Sequence, residues 1–246
     1  MINCHQLCHH YDNKPVINHL SLKLDIGKIH VLLGHSGSGK TTLLHILSQL
    51  IAADSGSLQI FNQHWQFPLS NKKIKTKKQL PQVGLVFQQH SLWPHLSCLN
   101  NLTLAPIKVM GTTKLAANQQ AQSFLDDFGL SDKADQLPHQ LSGGEKQKVA
   151  IIRSLMLPYN AIALDEPNAS LDPLSTQDLI QTIKKLKSAN KTLIISTHDL
   201  QFAKAIADNV HFMQQGKMIE TGSSACFTHP NTIELKHFLQ QQGEKS

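Results

Sequence analysis

The chain has 246 residues, of which 40% are hydrophobic, so it can bury enough apolar surface for one large α/β domain or two small ones. No apolar run approaches the roughly twenty residues that cross a bilayer, and the N-terminus lacks the features of a signal peptide, so we expect a cytoplasmic protein. The net charge of +6 would suit nucleic acid or an anionic membrane surface. For the lysine-rich run at 72–78, a solvated surface connection is favoured over a membrane or RNA contact.

The first third of the chain predicts an edge sheet followed by a strand, a loop and a helix. Residues 2–7 alternate as a strand does, and a turn at 12–15 leads to a second strand at 20–24. The apolar run at 29–33 enters a glycine-rich loop and then a helix that begins near Lys40. A further turn leads into a strand at 57–61.

The rest of the chain returns to alternating strands and helices after a helical stretch. The apolar run at 83–87 is typical of a buried parallel strand, and the later predicted elements are helices at 112–128, 145–157 and 173–187 and strands at 161–164 and 192–196. This alternation predicts a parallel sheet with helices on both faces. We expect one domain over 1–246, made of a core (1–90 and 158–239), a helical insertion (91–157) and a tail (240–246) that frays.

A phosphate-binding loop is the clearest functional motif. Its glycines let successive backbone N–H groups turn inward around a phosphate, because no Cβ blocks the approach, and the following helix adds its positive end. Lys40 can reach the β- and γ-phosphates, and the Thr41 hydroxyl is placed to ligate Mg²⁺. A nucleoside triphosphate is therefore the expected ligand. The residues expected to bind it here are Gly34, His35, Ser36, Gly37, Ser38, Gly39, Lys40, Thr41 and Thr42.

Two carboxylates follow the predicted strand at 161–164. Asp165 ends that strand, which in a parallel sheet places it at the carboxyl edge, where ligands bind, so it can hold Mg²⁺ through water. Glu166 lies one residue further and is suited to orient or deprotonate the water that attacks the γ-phosphate. A solvated turn is the simpler interpretation of an Asp-Glu pair, but the intact phosphate loop argues against it.

A second glycine-rich stretch, at 141–145, precedes the predicted helix at 145–157. Ser142, Gly143 and Gly144 can form another nest for a phosphate at the start of that helix. Since the first loop already holds the chain's own phosphates, the economical interpretation is that this stretch closes over the nucleotide of a second subunit.

The order of these motifs resembles that of the ATP-binding cassette (ABC) ATPases, and the resemblance covers nearly the whole chain. The matching stretches are 34–41 (Walker A), Gln88 (Q-loop), 141–145 (signature), 162–166 (Walker B), 170–172 (D-loop), 197–199 (H-loop) and Tyr11, which matches the aromatic residue that stacks on adenine.

This resemblance implies the ABC ATPase fold: a P-loop NTPase (RecA-like) parallel-sheet core with an antiparallel edge sheet and an inserted helical subdomain. It also implies ATP and Mg²⁺ as ligands, and a head-to-tail dimer in which each ATP lies between one P-loop and the other subunit's signature residues, 142–145. His198 would contact the γ-phosphate from its own subunit. Gln88 would contact Mg²⁺ and the attacking water, so that Glu166, His198 and Gln88 form the catalytic group.

Within the family, the chain resembles most the ATPases of polar amino-acid importers, those for arginine in particular. This likeness lies in the stretches 84–89, 92–96 and 225–230. None of them has a catalytic role of its own, so the prediction of the substrate depends on analogy. The expected function is ATP hydrolysis that drives import of arginine or another polar amino acid. The expected place is the cytoplasmic face of the inner membrane, with a second copy of the chain, permease subunits and, indirectly, a periplasmic binding protein as partners.

Glu145 departs from the family pattern, which usually has Gln at this position. It adds a negative charge near the other subunit's nucleotide, which the helix N-terminus should offset by a few tenths to about 1 kcal/mol. ATPases of lipoprotein-release and related exporter systems also use Glu here, so an exporter ATPase is the alternative function. A cassette that acts on ribosomes or DNA is a third interpretation. Such proteins usually carry two cassettes in one chain, so we expect no nucleic-acid partner.

The stretch at 89–96 directly follows Gln88 and offers apolar bulk, including Trp93, in what should be a surface connection. Exposed aromatic side chains often mark a contact. We therefore predict that a short cytoplasmic helix of the permease docks in a groove lined by this stretch. The alternative is that Trp93 belongs to the core of the insertion.

Overall fold

The computed structural model describes residues 1–68 and 81–243, so the lysine-rich run at 72–78 and residues 244–246 of the expected tail lie outside the described part. Its strands and helices are, in chain order, β1 (Ile2–Tyr11), β2 (Lys14–Leu24), β3 (Ile29–Leu33), α1 (Lys40–Leu47), β4 (Ser55–Ile60), β5 (Gln63–Phe67), β6 (Val83–Val86), α2 (Cys98–Met110), α3 (Lys114–Asp127), α4 (Gly143–Leu155), β7 (Ala161–Asp165), α5 (Pro173–Ser188), β8 (Thr192–Thr197), α6 (Leu200–Ile206), β9 (Asn209–Gln214), β10 (Lys217–Ser223) and α7 (Ile233–Gly243).

Two sheets form the scaffold. The larger has the order β10-β9-β3-β8-β7-β6, and its strands are parallel except for β10, which runs antiparallel to β9. The smaller is antiparallel, in the order β2-β1-β4-β5. The predicted fold class is therefore confirmed, with the edge strands in a sheet of their own.

The larger sheet is covered differently on its two faces. Alternate residues of β3 point to opposite sides: Val31 belongs to the hydrophobic cluster shared with α2 to α7, and Leu32 to the cluster shared with α1 and the antiparallel sheet. All five residues of β3 and of β7 are buried, as expected for strands covered on both faces. Because one cluster contains residues of both the sheet and the inserted helices, the insertion rests on the same core as the nucleotide-binding strands.

The inserted helices begin where polar side chains satisfy their free N–H groups. The Ser97 hydroxyl accepts from the Asn100 N–H at the start of α2, and the Thr113 hydroxyl accepts from the Ala116 N–H at the start of α3. Between α3 and α4 lie two short 3-10 helices, Ser131–Lys133 and Pro138–Gln140. The helices predicted at 112–128 and 145–157 correspond to α3 and α4.

Several elements were not predicted: β5, α2 as a separate helix, α6, β9, β10 and α7. Helix α7 continues to Gly243, so residues 240–243 of the expected tail are helical. It is held by Phe238, which is 1% exposed and packs against Phe212 of β9 at a ring-centroid distance of 5.2 Å. Residues 240–246 contain no apolar side chain, so the contact that holds this helix comes from a residue that precedes the tail.

Two of the 15 histidines lie side by side inside the larger sheet. The Nδ1 of His30 on β3 is 2.9 Å from the Nε2 of His211 on β9, and both residues are at most 1% exposed. His30 Nε2 donates to the Asp25 carbonyl oxygen at 2.9 Å, so its Nδ1 accepts from His211. Burial lowers the pKa of both rings, that of His211 to about 3. The pair is therefore a neutral, structural link between β3 and β9.

Candidate active site

The phosphate loop has a backbone that requires glycine. Gly39 precedes α1 with φ of 100°, and a Cβ there would lie 2.7 Å from the Val16 carbonyl oxygen. A Cβ on Gly34 would collide with the Met213 carbonyl oxygen. Within this loop, Lys40 Nζ donates to the carbonyl oxygens of Gly34 at 2.8 Å and of His35 at 3.1 Å. Burial lowers the pKa of Lys40, and the neighbouring Glu166 acts in the opposite direction.

Asp165 and Thr41 meet at the carboxyl edge of the parallel strands. Asp165 ends β7 and is 5% exposed. Its Oδ1 accepts hydrogen bonds from Thr41 Oγ1 at 3.1 Å and from Ser196 Oγ at 2.6 Å. A carboxylate beside a hydroxyl, next to a phosphate loop, is an oxygen set that suits Mg²⁺. Thr41 and Asp165, two of the residues expected to hold Mg²⁺, come from different motifs and are in direct contact.

Glu166 is the most constrained of the expected catalytic residues. It adopts a left-handed backbone conformation, with φ of 45°, and its N–H donates to Ser196 Oγ at 2.9 Å. Its Oε1 lies 3.5 Å from Lys40 Nζ, and its Oε2 lies 2.9 Å from His198 Nδ1. Such strained conformations persist only where surrounding contacts enforce them, and they cluster at functional sites. The Glu166 carboxylate is therefore fixed between a cation and an imidazole.

The phosphate loop, the Glu166 carboxylate and the Q-loop enclose one cavity of about 300 Å³, which we call the phosphate cavity. Gln88 lies in the wall of this cavity. The structure thus collects in one place residues that the sequence carries in five separate segments. Its lining residues are Val16, Ser36, Gly37, Gly39, Lys40, Thr41, Thr42, Gln88, Glu166 and His198.

Other expected binding residues do not line this cavity. Tyr11 is 47% exposed at the turn between β1 and β2, where its ring meets the edge of the His9 ring at 4.8 Å. The signature residues 142–145 begin α4 instead. There the Ser142 N–H donates to Glu145 Oε2 at 2.8 Å, and the Glu145 N–H donates to Ser142 Oγ at 3.3 Å. This reciprocal cap holds the start of the helix in a defined shape, away from the chain's own phosphate cavity.

Several residues of the site had no predicted role. Ser196 Oγ donates to the Asp165 carboxylate and accepts from the backbone N–H of Glu166. The side-chain amide N–H of Asn168 donates to Asp199 Oδ2 at 2.9 Å, and its oxygen accepts from Thr197 Oγ1 at 3.2 Å. Asp199 also caps α6 through the Phe202 N–H. This network ties the segment after Glu166 to the segment that carries His198. No motif in the sequence indicates these partners, because they depend on how the segments pack in the fold.

A larger groove lies on the other side of the Q-loop. It has a volume of about 760 Å³ and is mostly apolar, and we call it the Trp93 groove. Trp93 is 49% exposed at this groove, so the alternative that places it in the core of the insertion is wrong. The lining residues are Leu85, Phe87, Ser91, Leu92, Trp93, Asn101, Leu104, Ala105, Lys108, Val109, Ala150, Arg153, Ser154, Leu157 and Tyr159.

Arg153 of α4 holds the backbone between the phosphate cavity and the Trp93 groove. Its Nη1 donates to the Ser91 carbonyl oxygen at 2.7 Å, and its Nη2 donates to that of His90 at 3.1 Å. His90 and Ser91 have positive φ angles of 60° and 49°, so the turn after Gln88 is sharp. The guanidinium fork therefore connects the signature helix to the Q-loop, a role that the sequence motifs do not reveal.

Comparison with known proteins agrees with this geometry. The family described as ABC transporter matches residues 17–169. The arginine transport ATP-binding protein ArtP of Haemophilus influenzae is 41% identical, over 93% of this chain and 95% of that protein. The glutamine transport ATP-binding protein GlnQ of Geobacillus stearothermophilus is 34% identical over 98% of both. A dimeric, post-hydrolysis structure of the ATP-binding cassette MJ0796 bound to ADP and Pi has a TM-score of 0.78 and 28% identity, covering 91% of this chain and 99% of that one.

None of the helices within residues 1–68 and 81–243 has the length and apolar character of a membrane span. The family match covers more than half of the chain, and a relative with 41% identity extends along nearly all of it. The phosphate loop, the two carboxylates at the end of β7 and the histidine beside them lie together at one edge of the parallel sheet. The chain is therefore an ATPase of the ABC transporter family.

Proposed function

We propose that this protein powers the import of arginine or another polar amino acid through membrane permease subunits. The likeness to transport ATP-binding proteins for arginine and for glutamine supports this substrate class. The observation that carries the hydrolytic step is the Glu166 carboxylate, held 2.9 Å from His198 Nδ1 inside a cavity walled by the phosphate loop. A carboxylate at this position can accept the proton of a water molecule that attacks a phosphate bound in the cavity.

The residues of the phosphate cavity divide the work of phosphoryl transfer. Lys40 and the backbone N–H groups of the loop bind the phosphates, and Thr41 with Asp165 holds Mg²⁺, which when bound neutralises phosphate charge. Glu166 orients the attacking water and accepts its proton. His198 fixes the Glu166 carboxylate and reaches the γ-phosphate from its 51% exposed side chain. Gln88, in the wall of the same cavity, would contact the water and Mg²⁺.

The second half of each ATP site comes, in this proposal, from another copy of the chain. The signature residues at the start of α4 do not line the chain's own phosphate cavity, yet they form a capped helix N-terminus, which attracts anions. The dimeric state of the MJ0796 cassette supports a two-subunit arrangement. Ser142 and the glycine N–H groups would contact the partner's γ-phosphate, and the exposed Tyr11 would stack on adenine.

The Trp93 groove is the proposed docking site for a cytoplasmic helix of the permease. Its lining is mostly apolar, and it is bordered by the backbone of His90 and Ser91, directly after Gln88. A change at the γ-phosphate that moves Gln88 would therefore move the wall of the groove. Docking there would place the protein at the cytoplasmic face of the inner membrane as a peripheral subunit.

Reconstitution tests the substrate class. The protein, the permease subunits encoded beside it and their binding protein are placed in liposomes with Mg-ATP, and phosphate release is measured with arginine, lysine, glutamine or no amino acid. We expect one of the polar amino acids to stimulate hydrolysis and to accumulate in the vesicles. If the neighbouring permease has a large extracytoplasmic domain, and lipoprotein or peptide stimulates hydrolysis while no amino acid does, the import proposal is wrong and the exporter alternative suggested by Glu145 replaces it.

A further inference from the structure

The unusual glutamate of the signature has a cationic neighbour. Glu145 Oε1 lies 3.5 Å from Lys133 Nζ, and the two side chains are only 27% and 25% exposed. Its other oxygen, Oε2, accepts the Ser142 N–H at 2.8 Å. One carboxylate is thus shared between the backbone of the signature serine and a lysine that precedes it by nine positions.

The cap at Ser142 and Glu145 is reciprocal. Ser142 Oγ accepts from the Glu145 N–H at 3.3 Å, and the Ser142 hydroxyl also interacts with the Glu145 carboxylate. The Glu145 oxygen that fixes the Ser142 N–H could equally belong to a glutamine, because an amide carbonyl accepts in the same way. The carboxylate therefore adds charge, and not a new geometry, to the start of α4.

That charge is present at neutral pH. Hydrogen bonds from the Ser142 N–H and the Ser142 hydroxyl lower the pKa of Glu145, and Lys133 lowers it further. Contact with Asp132, and then with Glu145, raises the pKa of Lys133. Both groups are ionised, so a bare carboxylate at this place would repel an incoming phosphate, and the neighbouring ammonium cancels that repulsion.

The backbone keeps Lys133 in place. It ends a short 3-10 helix, its N–H donates to the Leu130 carbonyl oxygen, and its own carbonyl oxygen accepts from the Gln136 N–H, both at 3.0 Å. The same segment is bound to the start of α2, where the Cys98 N–H donates to the Gln136 carbonyl oxygen at 2.9 Å. Lys133 also contacts Asp132 at 3.2 Å, but that side chain is 73% exposed.

We propose that Lys133 is a positioning residue of the signature: its ammonium neutralises Glu145 and holds the carboxylate on the Ser142 N–H, so that the start of α4 can receive the ATP of a partner subunit. This inference rests on the two-subunit ATP site of the proposed function. It adds a residue outside the family motifs, and it explains how glutamate can occupy the glutamine position.

Steady-state ATP hydrolysis by the intact protein tests the role. For Lys133→Gln we expect the KM for ATP to rise about two- to fivefold at low ionic strength, because a partly exposed ion pair contributes on that scale. The rise should shrink as salt screens the uncovered carboxylate. Lys133→Arg should restore the wild-type KM. In the double variant Lys133→Gln, Glu145→Gln the rise should disappear, because no charge is left to neutralise.

Matched controls separate this role from a general loss of charge. Asp132→Asn removes the exposed carboxylate beside the same lysine, and Lys187→Gln removes a lysine paired with Asp208, so both should keep the wild-type KM. An unchanged KM for Lys133→Gln would overturn the inference, as would a rise that persists with Glu145→Gln or is independent of salt. If the wild-type protein fails to hydrolyse Mg-ATP, the proposed function is at fault instead, whatever the variants do.

Discussion

The phosphate cavity and the Trp93 groove lie on either side of one short segment, yet they are built in opposite ways. The cavity is small, about 300 Å³, and is walled by the phosphate loop and charged side chains. The groove is about 760 Å³ and mostly apolar. Residues 88–93 contribute to both. The polar cavity is suited to phosphate chemistry. The neighbouring apolar groove is suited to bind a protein partner, and the shared segment can pass a movement from one to the other.

Helix α4 joins the two regions physically. It starts at the capped signature residue Ser142, and Arg153 near its end holds the carbonyl groups of His90 and Ser91. A helix of 13 residues is a stiff element, so a displacement at its start reaches the wall of the groove. When the signature contacts ATP, we expect this helix to move and to shift the wall of the groove.

The largest effect should come from breaking the chemistry of the phosphate cavity alone. Glu166→Gln keeps the shape of the side chain but cannot accept a proton, so we expect ATP turnover to fall by about 100-fold or more while ATP still binds. Bound Mg-ATP should then hold two subunits together on size-exclusion chromatography. Glu234→Gln, at an exposed position of α7, is the control and should behave as wild type. Turnover of Glu166→Gln at the wild-type rate would remove Glu166 from the catalytic role.

The second-largest effect should come from a change in the Trp93 groove that leaves the phosphate cavity intact. Trp93→Ala removes a half-exposed anchor, and because such residues carry much of the binding energy of an interface, transport by the assembled system should fall about 30-fold. Basal ATPase activity and the melting temperature of the isolated subunit should stay near wild type. Ile26→Ala is the control, since Ile26 is 54% exposed and does not line the groove. A large fall in melting temperature for Trp93→Ala would contradict the docking role.

The smallest effect concerns the sheet on which both regions rest. The pKa of buried His211 is lowered to about 3, whereas an unfolded histidine titrates near 6.5, so the unfolded state binds more protons between these values. The free energy of unfolding should therefore decrease as pH falls, by about 1 kcal/mol between pH 7 and 5.5 from His211. His30 acts in the same direction.

Chemical denaturation of His211→Asn at these two pH values measures this term. Asparagine cannot take up a proton, so the free energy of unfolding should depend less steeply on pH, from a lower starting value because a buried contact has changed. Exposed His64 on β5 supplies the control, since His64→Asn should keep the wild-type slope. Tryptophan fluorescence and loss of nucleotide binding should report the same transition, because the insertion and the parallel strands share one hydrophobic cluster. An unchanged slope for His211→Asn would show that the buried pair does not govern acid sensitivity.

The amino-acid sequence by itself determined the parts of this protein that adjacent residues encode. The phosphate loop is a strand, a run of glycines and a helix in direct succession, and Asp165 with Glu166 follows a buried strand, so local pattern sufficed to find them. The order of these motifs also predicted the parallel core and the inserted helices. Gln88 lies two residues after β6 of that core, so its place beside the phosphate loop follows from the same pattern.

The tertiary structure alone decided which distant residues meet. His198 reaches Glu166, Arg153 reaches the turn after Gln88, and Lys133 reaches Glu145 across loops whose course no local pattern specifies. A histidine carries no periodic signal of its own, so only the pairing of β3 with β9 shows that two of them are buried together. Periodicity and motifs encode contacts within an element, whereas packing between elements selects the partners of polar side chains.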